Sequence, residues 1–186
     1  WNDHNESPLK IKFQLLNLEI LKKDLNELNI NLKIIHANGI EEEAQKIVEE
    51  ALRVNASGVY LNREYGINER RRDSDLEKLL LTKNIQFNSF DPSIINPDLI
   101  KTGSDTFFKV FTPFSRAFRS LLDKSFLELT PGPKKQKKIF NESDQIPEFN
   151  LENNNHKNAI SLYPPGENSA LKIIEDFLNS KISDYK

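Results

Sequence analysis

The chain has 186 residues, long enough for one substantial core, or one domain with a long arm, and short for two full domains. Its formal net charge of −2 and pI near 6.0 give no global electrostatic reason to bind nucleic acid or an anionic membrane, so any such contact must be local. With no cysteine there is no disulfide framework, thiolate metal site or cysteine nucleophile, and with no apolar run near the ~20 residues of a membrane span the expectation is a soluble, cytoplasmic protein.

Ser7-Pro8 predicts a helix start, because a serine side chain can cap free amides and proline is tolerated at the first helical position. That helix should run to about Asn29. Ile11, Leu15, Leu18, Leu21, Leu25 and Leu28 form one apolar stripe and Phe13, Leu16 and Ile20 a second, so cover is expected on more than one side. "NLKIIH" predicts a short strand. Ile40 to about Val54 predicts an amphipathic helix with Ile40, Ala44, Ile47, Val48 and Ala51 inward, and Glu41, Glu42 and Glu43 suit its N-terminal dipole. "SGVYLN" predicts the next strand, a third helix should reach about Lys83 with Leu76, Leu79 and Leu80 inward, and "IQFNSF" predicts a third strand.

This alternation implies an α/β fold, a parallel sheet covered by helices, with ligands expected beyond the carboxyl ends of the strands. Thr112-Pro113 repeats the cap-then-proline signal and opens "PFSRAFRSLLDKS", whose Phe114, Phe118, Leu121 and Leu122 read as core packing. After Ser125 the composition turns polar, and "TPGPKKQKK" and "NESDQIPEFNLENNNHKN" read as a linker before a last helix, "ENSALKIIEDFLNSKI". The expected division is therefore an α/β domain over 1–125 and a linker with a C-terminal helix over 126–186.

Most chemistries find no support. His4, His36 and His156 lack metal-ligand spacing, "ANGIEE" and "KTGSDT" hold single turn glycines, and no nucleophile motif is visible. "PKKQKK", Pro133 to Lys138, could touch a nucleic-acid backbone without reading sequence, but it lacks interleaved aromatics and reads as a solvated linker. "YGINERRRD" is different, because it comes directly after a strand and places Asn68 beside Glu69. A carboxylate can receive the amino group and ring N–H of a pterin or guanine as a paired contact, with Asn68 donating to the ring's carbonyl and nitrogen. The ordinary alternative is that Glu69 pairs with Arg72, or Asp73 with Arg70, along the helix, each for a few tenths of a kcal/mol. Composition alone favours that alternative.

Taken in order, "NREYGINERRRD" and "TGSDTFFKVFTPFSRAF", with "WNDHNESP" at the start and "GENSALKIIEDFLNSKISDYK" at the end, resemble the N-terminal antenna domain of the DNA photolyase and cryptochrome family, in its bacterial class I cyclobutane pyrimidine dimer branch. The resemblance covers nearly the whole chain. It implies a Rossmann-like domain holding a light-harvesting second chromophore, in this branch usually 5,10-methenyltetrahydrofolate, against a helical domain that binds FAD and acts on damaged DNA. Asn68 and Glu69 fall on the family's folate-contacting pair, and His4 on a histidine near the same pocket.

The resemblance also implies two strands ahead of Trp1, the first with a Trp-Phe-Arg-x-Asp-Leu-Arg type motif. Neither they nor the helical domain are in this sequence, which also lacks methionine, so it reads as a fragment with an open sheet, inactive alone, from a parent expected to be a monomer without a membrane partner. The family's DNA groove lies on the helical domain, which leaves "PKKQKK" its linker reading. Three alternatives stay open: a cryptochrome-like photoreceptor, a deazaflavin or second flavin as the antenna pigment, and a non-enzymatic nucleotide-binding or interaction module in which Arg70, Arg71 and Arg72 grip a phosphate or partner.

Overall fold

Three helices of the computed structural model, α1 (Pro8–Glu27), α2 (Ile40–Arg53) and α3 (Ile67–Thr82), are each succeeded by an asparagine in the left-handed region. These are Asn29 (φ 58°), Asn55 (φ 53°) and Asn84 (φ 55°), and asparagine is one of the few residues besides glycine that adopts this conformation readily. The same pair of backbone bonds closes each turn: Ile30 to Leu25 and Asn29 to Asn26, Ala56 to Ala51 and Asn55 to Leu52, Ile85 to Leu80 and Asn84 to Leu81, the N–H donating to the carbonyl in every case. Carbonyls that a helix end leaves bare are thereby satisfied. The structure describes residues 6–92, 95–122, 130–137, 143–151 and 154–185. Contacts gather the chain into two compact units, Ile35–Pro131, and Trp1–Ile34 together with Gly132–Lys186.

In the first unit, the chain leaves Asn55 for β1 (Gly58–Asn62) and Asn84 for β2 (Gln86–Phe90). The strands pair in parallel, from Gly58 opposite Gln86 to Asn62 opposite Phe90, with α3 as the crossover. Ala44, Val48 and Ala51 of α2, Leu76 and Leu80 of α3, and Ile85 form the core, and Val59, Leu61 and Phe87 pack on it from one face of the sheet. On the other face Tyr60 stacks on Phe90 with 6.4 Å between ring centroids, and both rings are exposed. Three glutamates occupy the first turn of α2, where the helix dipole favours them. Among them Glu42 accepts the Asn38 backbone N–H at 3.1 Å and the Asn38 side-chain amide, and these bonds hold its carboxyl below the ordinary range.

The last helix of this unit, α4 (Phe111–Leu121), starts after Val110 and not after the expected Thr112 cap. Pro113 is its third residue, where a missing N–H leaves no intrahelical bond unmade. Its aromatic side is not core packing: Phe108, Phe111, Phe114 and Phe118 lie against one another at 6.0 to 6.5 Å, and α4 buries no residue. Residues 123–125 of the expected helix lie outside the described residues.

The second unit is helical. Cover of the two α1 stripes is partial: Ile11 and Leu15 are buried with Ile146, with Leu18, Leu32, Ile34 and Phe149 around them, while Leu21 is exposed and Phe13, also exposed, shares a shallow groove with Leu9, Ala159, Ile160 and Tyr163. The latter three belong to, or directly succeed, α5 (Asn154–Leu162), a helix inside the stretch expected to be linker. Its asparagine-rich start is a poor helix former, and its packing against α1 compensates. The expected "NLKIIH" strand does not form, because its amides take other partners: Leu32 N–H donates to Ser143 Oγ and Ile34 N–H to Asp144 Oδ2, while Leu32 O accepts from Asp144 N–H.

The final helix, α6 (Glu167–Asp176), starts after Gly166, whose φ of +100° and close approach to Ile20 exclude a side chain. The expected helix to residue 182 is α-helical only as far as Asp176, and π and 3-10 turns complete it.

Leu76 is fully enclosed between α2 and the sheet. Leu76→Ala is expected to destabilise the protein by about 2–5 kcal/mol, read as a lower denaturant midpoint with an unchanged slope.

Candidate functional site

Parallel pairing brings the carboxyl ends of β1 and β2 level, and the segment leaving each strand is polar. Arg63 N–H donates to Phe90 O at 2.9 Å, continuing the ladder one step. The Arg63 side chain then crosses to the residues after β2: its Nη2 donates to Asp91 Oδ2 at 2.7 Å and to Asn96 Oδ1 at 3.1 Å. Tyr65 Oη donates to the same Asp91 oxygen at 2.7 Å, and the guanidinium lies 5.3 Å from the centroid of its ring. The bond to Asp91, then the Tyr65 hydroxyl, holds the Arg63 guanidinium above its ordinary pKa. Arg63 Nε is buried and has no hydrogen-bond partner among the described residues. Asn96 also accepts from Asp98 N–H, starting the short 3-10 helix Pro97–Leu99.

This knot fixes the loop that enters α3. Gly66 precedes the helix, Asn68 is its second residue and Glu69 its third. The first intrahelical bond runs from Arg70 N–H to Gly66 O, so the preceding amides and the dipole favour a carboxylate at this end. Glu69 folds back over Gly66 so closely that a Cβ at residue 66 would stand 1.9 Å from Glu69 Oε2. Glycine is needed here for space, not for an unusual φ.

Neither of the pairings weighed from the sequence forms. Arg72 binds Asp73 at 2.8 Å, Glu64 at 3.1 Å and Glu43 of α2 at 3.2 Å, with its side chain 17% exposed. Burial works against its charge, but the hydrogen bonds to Asp73, Glu43 and Glu64 outweigh it and raise its pKa. Glu69 forms no ion pair among the described residues, and Arg70 and Arg71 are exposed. One arginine of the three thus ties α3 to α2 and to the loop. Glu69 keeps its acceptors at the rim of an open cleft of about 470 Å³, lined also by Arg63, Glu64, Tyr65, Gly66 and Pro92. A neighbouring cleft of about 390 Å³ shares Arg63 and Tyr65 and reaches Arg70, Ser74 and Ser89.

Of the residues expected at the site, Glu69 lines the cleft, Asn68 is exposed beside it and outside the cleft lining, and His4 lies outside the described residues. The expectation passed over Arg63, Tyr65, Asp91 and Asn96. Arg63 and Asp91 carried a signal, since each comes directly after a predicted strand of a parallel pair. Among the described residues no group of three His, Asp or Glu side chains could hold a metal ion.

Arg72→Ala is expected to destabilise the fold by about 1–3 kcal/mol, because it strips hydrogen bonds from the nearly buried Asp73 carboxylate. Arg71→Ala, at an exposed position, should stay within about 0.5 kcal/mol in the same denaturation experiment.

Residues 1–134 match the family model described as DNA photolyase. The deoxyribodipyrimidine photo-lyase of Neurospora crassa is 30% identical over 201 residues, covering 98% of this chain and 32% of that protein. Its counterpart in Vibrio cholerae is 31% identical over 122 residues, covering 65% and 26%. That of Escherichia coli is 25% identical over 187 residues, covering 100% and 39%. The matched stretches therefore cover between 26% and 39% of the length of these relatives.

Proposed function

Since the chain belongs to the DNA photolyase family, we propose that it is the antenna-chromophore-binding portion of a deoxyribodipyrimidine photo-lyase, an enzyme that uses light to split cyclobutane pyrimidine dimers in DNA. The observation that carries this reading is the Glu69 carboxylate, held over Gly66 at the rim of a cleft with no cation paired to it among the described residues. A negative group kept at a helix N-terminus beside an open cleft suits a ligand that brings its own N–H donors. The pterin edge of 5,10-methenyltetrahydrofolate offers an amino group and a ring N–H side by side, and Glu69 receives both.

Asn68, on the same turn, supplies the complementary donor to the ring carbonyl and nitrogen, and the family resemblance adds His4 as a further folate-binding residue. The Tyr65 ring, with the Arg63 guanidinium 5.3 Å from its centroid, lines the cleft as an aromatic wall for a ring system. Asp91 holds both side chains, so that wall is set before ligand arrives. The bound folate supplies absorption of near-ultraviolet and blue light, whose energy goes to FAD in the remainder of the protein. The residues of this chain bind and orient; damaged DNA and FAD are partners of the parent protein, placed in the cytoplasm. No helix of the described residues is long and apolar enough to cross a membrane.

In the full-length protein, Glu69→Ala is expected to lower folate affinity by at least about tenfold, the equivalent of one charge-assisted contact, while flavin-driven repair continues. Gly66→Ala, which displaces the carboxylate and removes no chemistry, should lower folate content in the same direction with little change in stability. Folate per FAD, read by absorbance of the purified protein, decides the matter: unchanged content in both variants overturns the reading.

A further inference from the structure

The basic run that reads as a solvated linker is held in place. Gln136 N–H donates to Leu28 O at 2.7 Å, and Gln136 O accepts from Asn29 Nδ2 at 2.7 Å, so one residue is clipped on both sides to the C-terminal end of α1. Its side-chain amide also donates to Lys134 O at 2.9 Å. Pro131 and Pro133 restrict the backbone just ahead. Around the clip, Lys134, Lys135 and Lys137 are exposed, and none of them makes an ion pair among the described residues. No Asp or Glu occurs from Leu129 to Asn141. Three lysines within four positions of a held backbone concentrate like charge, and the α1 carbonyl end offsets only part of their repulsion. The arrangement becomes favourable when an extended polyanion lies across it.

We propose that this clipped lysine strip is a contact surface for the phosphate backbone of duplex DNA. The inference rests on the reading of the chain as part of a DNA photo-lyase. Duplex DNA carries a charge about every 1.7 Å of its axis, so lysines held at fixed spacing find phosphates without a particular sequence. The strip is better suited to phosphates than to base edges: it has no arginine or aromatic side chain, and the Gln136 amide is engaged with its own backbone. It also presents no large apolar side chain over 131–137, which distinguishes it from a surface built to enter a bilayer. The strip adds affinity and on-rate and leaves dimer recognition to the rest of the enzyme.

The test compares the full-length protein with its K134Q/K135Q/K137Q variant on undamaged duplex DNA from 50 to 200 mM salt. Each lost phosphate contact should reduce the salt slope by about 0.9, making the affinity loss over that range three- to four-fold smaller per contact. The expected result is a slope shallower by roughly 2 to 3, weaker binding at low salt, an unchanged melting temperature and unchanged repair at saturating DNA. An unchanged slope overturns the proposal. If that comes with a lowered melting temperature, the lysines serve the end of α1, and if it comes with lost binding to vesicles of phosphatidylserine and phosphatidylcholine, they serve a membrane. Light-dependent cleavage of a thymine dimer is assayed separately on the unsubstituted protein. Its failure alongside a changed slope sinks the photo-lyase reading and leaves the DNA surface standing.

Discussion

The level carboxyl ends of β1 and β2 are the constraint on which the site depends, and two helix ends create them. A crossover helix that stopped one residue early or late would shift β2 along β1 and turn its side chains to the other face. Asn55 and Asn84 prevent this by leaving their helices through the same closed turn, so that Val59, Leu61 and Phe87 share the core side. Arg63 and Asp91 then emerge opposite each other at 2.7 Å. The polar knot is a consequence of register, and it in turn fixes the loop from which α3 begins.

Charge is divided among neighbours that look interchangeable in the sequence. Arg72 is committed to structure, gathering Asp73, Glu64 and Glu43. Because Arg72 already has three acceptors, it does not neutralise Glu69, although it is three residues away on the same helix. Arg63 has a parallel role at the strand ends, joined to Asp91 and Asn96. The result is a carboxylate without an ion pair among the described residues, in a region rich in cations, a condition that local pairing rules along a helix would not produce.

Much of this was legible in the sequence. The 3.6-residue periodicity of α2 and α3 and the apolar runs of β1 and β2 give the β–α–β unit, and the position of Glu69 just past a strand points to the cleft that it lines. The hidden part depends on distant partners. The alternation in "NLKIIH" does not show that Ser143 and Asp144 take the amides of a segment that otherwise looks like a strand. The choice of Glu43 by Arg72 spans 29 positions. Helix α5 is concealed by its asparagines and becomes plausible only beside Leu9 and Phe13. The asparagine endings are local and readable, yet hydrophobic periodicity does not register them, because it describes a helix's faces and not its exit.

The two units differ in how they are written along the chain. Ile35–Pro131 is one uninterrupted stretch, whereas the helical unit is assembled from segments on both sides of it. The clip between Asn29 and Gln136 joins residues 107 positions apart, and Asn17 meets Gly166 across 149. Closing such loops through a disordered intervening chain carries an entropic cost that grows with their length, but a stretch that has already collapsed behaves as a shorter tether. The α/β unit is thus closed by contacts within one stretch, and the helical unit by contacts across that stretch. During synthesis, Ile146 and Phe149 reach the Ile11 and Leu15 cluster of α1 only after the whole α/β stretch has emerged, whereas Leu32 and Ile34 are there before it.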